Sequence, residues 1–261
     1  MTSKQVAKLA AALCLIGTAT WADPLFDSSV TSNDIDFIHS DDPSAFHCLT
    51  ALGASRQEMP DKRNDQLFVD NVQVFSASFT DGTTIEIWTH PDLGDRAETV
   101  ARQLTGPLGR LPSFMRGRLN HVVVHAGDET AFEEAEGGFF VVYDANVAKR
   151  IATNDLEETV FHESTHVTLD LTFGRSRPWI AAQRGDGVFV TEYAAANPEK
   201  EDVAETALFA MTYFQHPDRL PDDVLDWLTQ NIPNRLAAFE TMFGPGKALQ
   251  RPPQDMPACP G

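Results

Sequence analysis

Between residues 69 and 89 apolar and polar side chains follow the two-residue period of a β-strand, in two runs at 69–79 and 83–89. Thr80-Asp81-Gly82 separates the runs, and Asp-Gly in that place predicts a tight hairpin. Two further strands are read at 119–125, around Val122-Val123-Val124, and at 139–143, after Gly137-Gly138. Elsewhere the period lengthens. Residues 95–104 predict a helix ended by Gly106-Pro107. Over about 155–170, Val160, Phe161, Ser164, Val167, Thr168 and Leu171 make one stripe at helical spacing. Asn154 is read as its N-cap, with Glu157 closing a capping box. Pro178 opens a short helix over 179–183 that Gly185-Asp186-Gly187 ends. Asn197-Pro198 starts a long helix to about 214, and 221–228 and 232–243 are read as the last two helices. Residues 23–45, rich in Asp and Ser, form an irregular lead-in.

Strands mixed with helices in this order predict an α+β fold. At 261 residues there is material for one large domain or two small ones. The expected organisation is a signal peptide at 1–22, a β-rich N-terminal lobe at 23–115, a catalytic lobe at 116–245 and a Pro/Gly-rich tail at 246–261. The signal peptide is read from Lys4 and Lys8, the apolar run 9–16 and the small-residue cleavage site Thr20-Trp21-Ala22. That run is too short to span a bilayer. The expectation is therefore an exported chain, periplasmic or secreted, with no membrane anchor after cleavage. Cleavage removes two Lys and no acid, taking the formal charge from -18 to -20. Such a chain repels nucleic acid and anionic membrane surfaces. Cys14 leaves with the signal, and Cys48 and Cys259 remain. In an oxidising compartment two cysteines predict one disulfide, the alternative being two free thiols.

The helix at 155–170 carries the chemistry. His162-Glu163-Ser164-Thr165-His166 reads H-E-x-x-H. Histidines at i and i+4 lie one turn apart on one helix face, from which two imidazoles reach one Zn²⁺. Glu163 projects close to that face and is placed to act as a general base on water. A catalytic zinc usually takes a third protein ligand. The metzincin continuation needs Gly and His where this chain has Leu169 and Thr172, which excludes that class. The next helix offers Glu199, Glu201, Asp202 and Glu205. Glu201 and Glu205 share one half-apolar face, so either could be the ligand.

These residues, followed by Tyr193-Ala194, Asn197, Glu201-Asp202 and Ala204-Glu205, resemble the gluzincin metallopeptidases, most of all those related to the catalytic domain of anthrax toxin lethal factor. The resemblance covers about residues 155–215. It implies a zincin-like fold with a small mixed sheet, an active-site helix and a helical C-terminal part. It further implies Glu201 as the third zinc ligand, Tyr193 as the donor to the oxyanion, and Glu205 orienting a ligand His from behind. The Tyr-to-Glu spacing is one residue longer than in that relative, so Glu205 stays open as the alternative ligand. The expected activity is zinc-dependent hydrolysis of a peptide or protein substrate. Two alternatives remain: a catalytically inactive zincin-like binding or structural module, and a cell-wall amide hydrolase.

Three other features are weighed. His121 and His125 share a strand face and are read as flanking a solvated edge strand. Gly137-Gly138-Phe139-Phe140 leads either into a strand that pairs with extended substrate or into a core strand. Glu133, Glu134 and Glu136 read as a solvated loop.

Overall fold

The computed structural model describes residues 22–259. The proposed signal peptide, with Lys4, Lys8 and Cys14, lies outside the described residues apart from Ala22. Among the described residues one mixed sheet of six strands runs in the order β1-β2-β3-β4-β6-β5. The strands are β1 (Phe46–Glu58), β2 (Phe68–Phe79), β3 (Thr84–Thr89), β4 (His121–His125), β5 (Phe132–Glu134) and β6 (Phe139–Tyr143). β1, β2 and β3 form an antiparallel meander, and β3, β4 and β6 run parallel. β5 returns antiparallel to β6 as the outer strand. The fold is mixed α and β, as the pattern of periods predicts.

Side-chain alternation explains why both faces are buried. Val122 and Val124 of β4 and Phe140 and Val142 of β6 enter the main core with the helices. Val123, Phe139, Val141 and Tyr143 point the other way, into a smaller cluster with Met59, Val72 and Val74. The main core takes residues from both sides of position 115, from Phe37 to Phe243.

Helices α1 (Ala97–Arg110), α2 (Ser113–Arg116), α3 (Asp144–Thr153), α4 (Leu156–Thr165), α5 (Arg177–Asp186), α6 (Glu192–Ala196), α7 (Asp202–Gln215), α8 (Asp222–Asn231) and α9 (Pro233–Phe243) complete the fold. All ten residues of α4 are buried. An apolar stripe alone does not predict that. A helix enclosed on all sides must hold its polar side chains against partners, and here those include Glu157 and Glu158 as well as His162 and Glu163 of the motif.

Several elements depart from the sequence reading. α1 continues through Gly106 and Pro107 to Arg110, because Leu104 and Leu108 bury on the same side and hold the turn. Asn154 does not cap α4. It takes the left-handed conformation (φ 59°) that asparagine tolerates and ends α3, while Asp155 precedes α4. The Glu157 carboxylate instead pairs with Arg110 at 3.1 Å. The long helix opens at Asp202 rather than Asn197, since 197–201 form turns after the short α6. β4 is an inner strand, so His121 and His125 are not solvated edge residues. His121 is stacked between Trp88 and Phe139, and His125 is buried. β6 is likewise flanked on both sides, which makes Phe139–Tyr143 a core strand. The open edge beside it is β5, in the acidic stretch read as a loop.

Candidate metal centre

α4 and the π-helical stretch that continues it aim His162 and His166 at one point. His162 Nε2 and His166 Nε2 lie 3.1 Å apart. Glu201 meets them from the residue before α7, with its Oε2 at 3.2 Å from His166 Nε2 and 3.6 Å from His162 Nε2. His162, His166 and Glu201 therefore present three donor atoms around one small gap. Glu201 Oε2 is buried and makes no aligned hydrogen bond among the described residues. Four ligands set tetrahedrally at about 2.0–2.1 Å from Zn²⁺ stand roughly 3.3–3.4 Å from one another. The observed spacings bracket that value. Two imidazoles and one carboxylate are also a donor set that Zn²⁺ takes, so the residues present fit the metal that the sequence implies.

Behind each histidine stands a carboxylate. Asp170 Oδ2 lies 2.8 Å from His166 Nδ1. Glu205 Oε1 lies 3.6 Å from His162 Nδ1, and the Glu205 side chain is 1 % exposed. A carboxylate hydrogen-bonded in this place, as Asp170 is, fixes the tautomer and the ring orientation of a ligating histidine. Glu205 instead faces His162 Nδ1 as a charge beyond hydrogen-bond distance, and that nitrogen makes no hydrogen bond among the described residues. Glu205 is thus set behind His162, with Glu201 at the gap. Asp170 was missed in the sequence, where the signal was an acid four residues after His166 on the same helical face. It lies in the stretch His166–Gly174, where α4 continues as a π-helix, a widening common at functional sites.

Electrostatics follow from burial. Desolvation alone would raise the Glu201 carboxyl, but the contacts of His162 and His166 outweigh it and hold it well below the usual carboxylate range. Burial would lower His166, and Asp170 and Glu201 overcome that to raise it. Burial raises Glu163, opposed by the two imidazoles. Burial also raises Asp170, opposed by His166. The Tyr193 phenol is pushed up to about 12, first by desolvation and then by Glu201. It therefore stays protonated at neutral pH and can donate. In this structure its Oη donates to Glu201 Oε1 at 3.1 Å.

His162, Glu163, Tyr193 and Glu205 line a cavity of about 300 Å³, together with Ser28 and Arg150 among others. Thr130 and Ala131, just before β5, form part of its wall. All six side chains singled out in the sequence are thus brought to one place, four on the cavity and His166 and Glu201 at the gap beside it.

No protein-family model matches the chain, and no curated protein matches it. Among the described residues no helix is long and apolar enough to cross a membrane. Cys48 and Cys259 are disulfide-bonded, with Cα atoms 5.7 Å apart.

Proposed function

We propose that the protein is an exported zinc-dependent metallopeptidase of the gluzincin kind, with a zincin-like catalytic fold. One observation carries the reading: three donor atoms of the His₂Glu type, mutually 3.1, 3.2 and 3.6 Å apart, beside a buried glutamate. His162, His166 and Glu201 hold the metal. Zn²⁺ bound there supplies Lewis acidity toward a carbonyl group and toward water.

The chain's own groups do the rest. Glu163, whose proton affinity burial raises, takes a proton from the attacking water and passes it to the leaving amine. Tyr193 exchanges its hydrogen bond to Glu201 for one to the substrate carbonyl oxygen as that oxygen gains charge. Asp170 bonds His166 Nδ1 and Glu205 places its charge 3.6 Å from His162 Nδ1, with both Nε2 atoms facing the gap. β5 supports a peptide substrate, since it is the outer strand and the chain leading into it borders the cavity. An extended peptide can pair there by strand addition. A binding module would leave the Glu163 carboxyl without a task.

Elemental analysis of residues 23–261 tests the reading. The expected result is about one zinc per chain, lost in His162→Ala and kept in Glu163→Gln, with peptide hydrolysis absent from both variants. A wild-type chain free of zinc after reconstitution overturns it.

A further inference from the structure

The ligands and their supports sit on α4, α7 and the segments between them. What ties these pieces together comes from the opposite end of the chain. Residues 25–31 cross the site as an irregular strap, a run of bends around the single bridge residue Phe26. Leu25 N–H donates to the Val190 carbonyl at 3.0 Å, and Phe26 bridges in parallel to Thr191. The N–H groups of Glu192 and Tyr193 donate to the Phe26 and Asp27 carbonyls at 2.9 and 3.0 Å. The first turn of α6, which carries Tyr193, is therefore built on the strap. Two residues later the strap reaches the support of the metal site. Ser29 N–H donates to Glu205 Oε2 at 2.6 Å, and Ser28 Oγ lies 3.4 Å from Glu205 Oε1. That same Oε1 faces His162 Nδ1. Asn33 fastens the turn that follows. Its amide donates to the Ser28 and Ser29 carbonyls at 3.1 and 3.0 Å, and its Oδ1 accepts from Ile35 N–H at 3.0 Å.

We infer that residues 25–31 are a positioning element of the metal centre, which hold Glu205 against His162 Nδ1 and Tyr193 at the cleft while supplying no ligand. The physical reason is the burial of Glu205. A carboxylate enclosed to this degree keeps its place only while donors satisfy it, and the strap's N–H is the shortest bond it has. With that donor gone, the carboxylate moves toward water, and His162 loses the negative charge that faces its Nδ1. The Ser29 hydroxyl makes no hydrogen bond among the described residues, so the backbone N–H alone is at stake. It follows that displacing or trimming the segment before residue 30 weakens the centre without touching a ligand. The effect on turnover rests on the peptidase reading; the effect on local order does not.

The test uses the chain from residue 23, as wild type, Asn33→Ala, Ser29→Pro and Ser29→Ala. Asn33→Ala releases all three side-chain bonds of the turn, and Ser29→Pro removes the N–H. Ser29→Ala keeps it and serves as the rescue. Zn²⁺ affinity is read by competition with a chelator, and amide hydrogen exchange is read on the zinc-free protein. Asn33→Ala and Ser29→Pro are expected to bind zinc about tenfold more weakly or worse, with faster exchange confined to the strap and its turn (residues 25–35) and to residues 190–206. Ser29→Ala is expected to return wild-type values. Unchanged exchange at 190–206, or acceleration spread evenly over the whole chain, overturns the inference. If the wild type takes up no zinc, the peptidase reading fails, and the exchange comparison still decides the role of the strap.

Discussion

Asp170 makes the least exposed histidine of the site a one-sided donor. Its carboxylate occupies His166 Nδ1 at 2.8 Å, which leaves Nε2 for the gap. Asp170→Ala should therefore weaken zinc binding by about 10–100-fold with the fold unchanged, as read by chelator competition beside circular dichroism. Wild-type affinity in that variant would remove Asp170 from the site. A second buried acid, Glu158, works against the protein. Burial raises its carboxyl to about 8, although the Ile38 N–H donates to it at 2.9 Å. A folded-state value above the unfolded one means that the folded chain binds the extra proton, so stability falls as pH rises from about 4.5 to about 8. Glu158→Gln removes the charge and keeps an acceptor for Ile38. Its melting temperature should exceed that of the wild type at pH 8 by several degrees, and the gap should close toward pH 5. A gap that is constant with pH would mean that Glu158 does not titrate in this range.

The element that places Glu201, the proposed third ligand, is the start of α7, and a buried charge network sets it. Asp202, next to Glu201, takes the Arg235 Nε of α9 at 2.9 Å and the Gln183 amide of α5 at 2.9 Å. Arg235 also bonds the Val188 carbonyl at 2.6 Å and faces Asp186 at 3.6 Å. Arg235→Met would leave two buried carboxylates uncompensated. The expected cost is about 3–5 kcal/mol in urea unfolding, with weaker zinc binding because Glu201 loses its anchor. None of this was legible in the sequence, because the arginine lies 33 residues beyond its partner and charge pairing at that distance leaves no local pattern. Elements with one buried and one polar face were legible, as in the β2–β3 hairpin and α9. β1 was not, since most of its residues are exposed and Gly53 at φ 96° breaks its register with β2. The three-residue β5 and the half-exposed α3 were missed for the same reason: an edge strand of Phe-Glu-Glu and a helix with two buried residues carry too little apolar period to read. The H-E-x-x-H histidines were legible because their spacing is itself the chemistry, whereas Asp170 carries no such signature.

At the scale of the whole molecule the chain is closed by its ends. The C-terminal segment runs back along the hairpin between β2 and β3. Gln254 bonds Thr80 and Asp81, and Gln250 meets the buried Arg116, itself paired with Asp81 at 2.7 Å. The Cys48–Cys259 bond then locks this segment to β1 across a separation of 211 residues. Because the closed loop includes nearly every element, the bond restricts the unfolded chain far more than it changes the folded one. Reduction, or Cys48→Ser with Cys259→Ser, should cost about 2–4 kcal/mol, which for a chain of this length is roughly 4–16 °C in melting temperature. The proposed metal ligands stand on elements packed by the core rather than by the tail, so zinc affinity at 25 °C should hold in the same variant. The two readouts separate a clasp on the fold from a part of the site. A fall in melting temperature with unchanged zinc affinity assigns the bond to stability. A parallel loss of zinc would mean that the tail, through β1 and the sheet, also sets the geometry around His162.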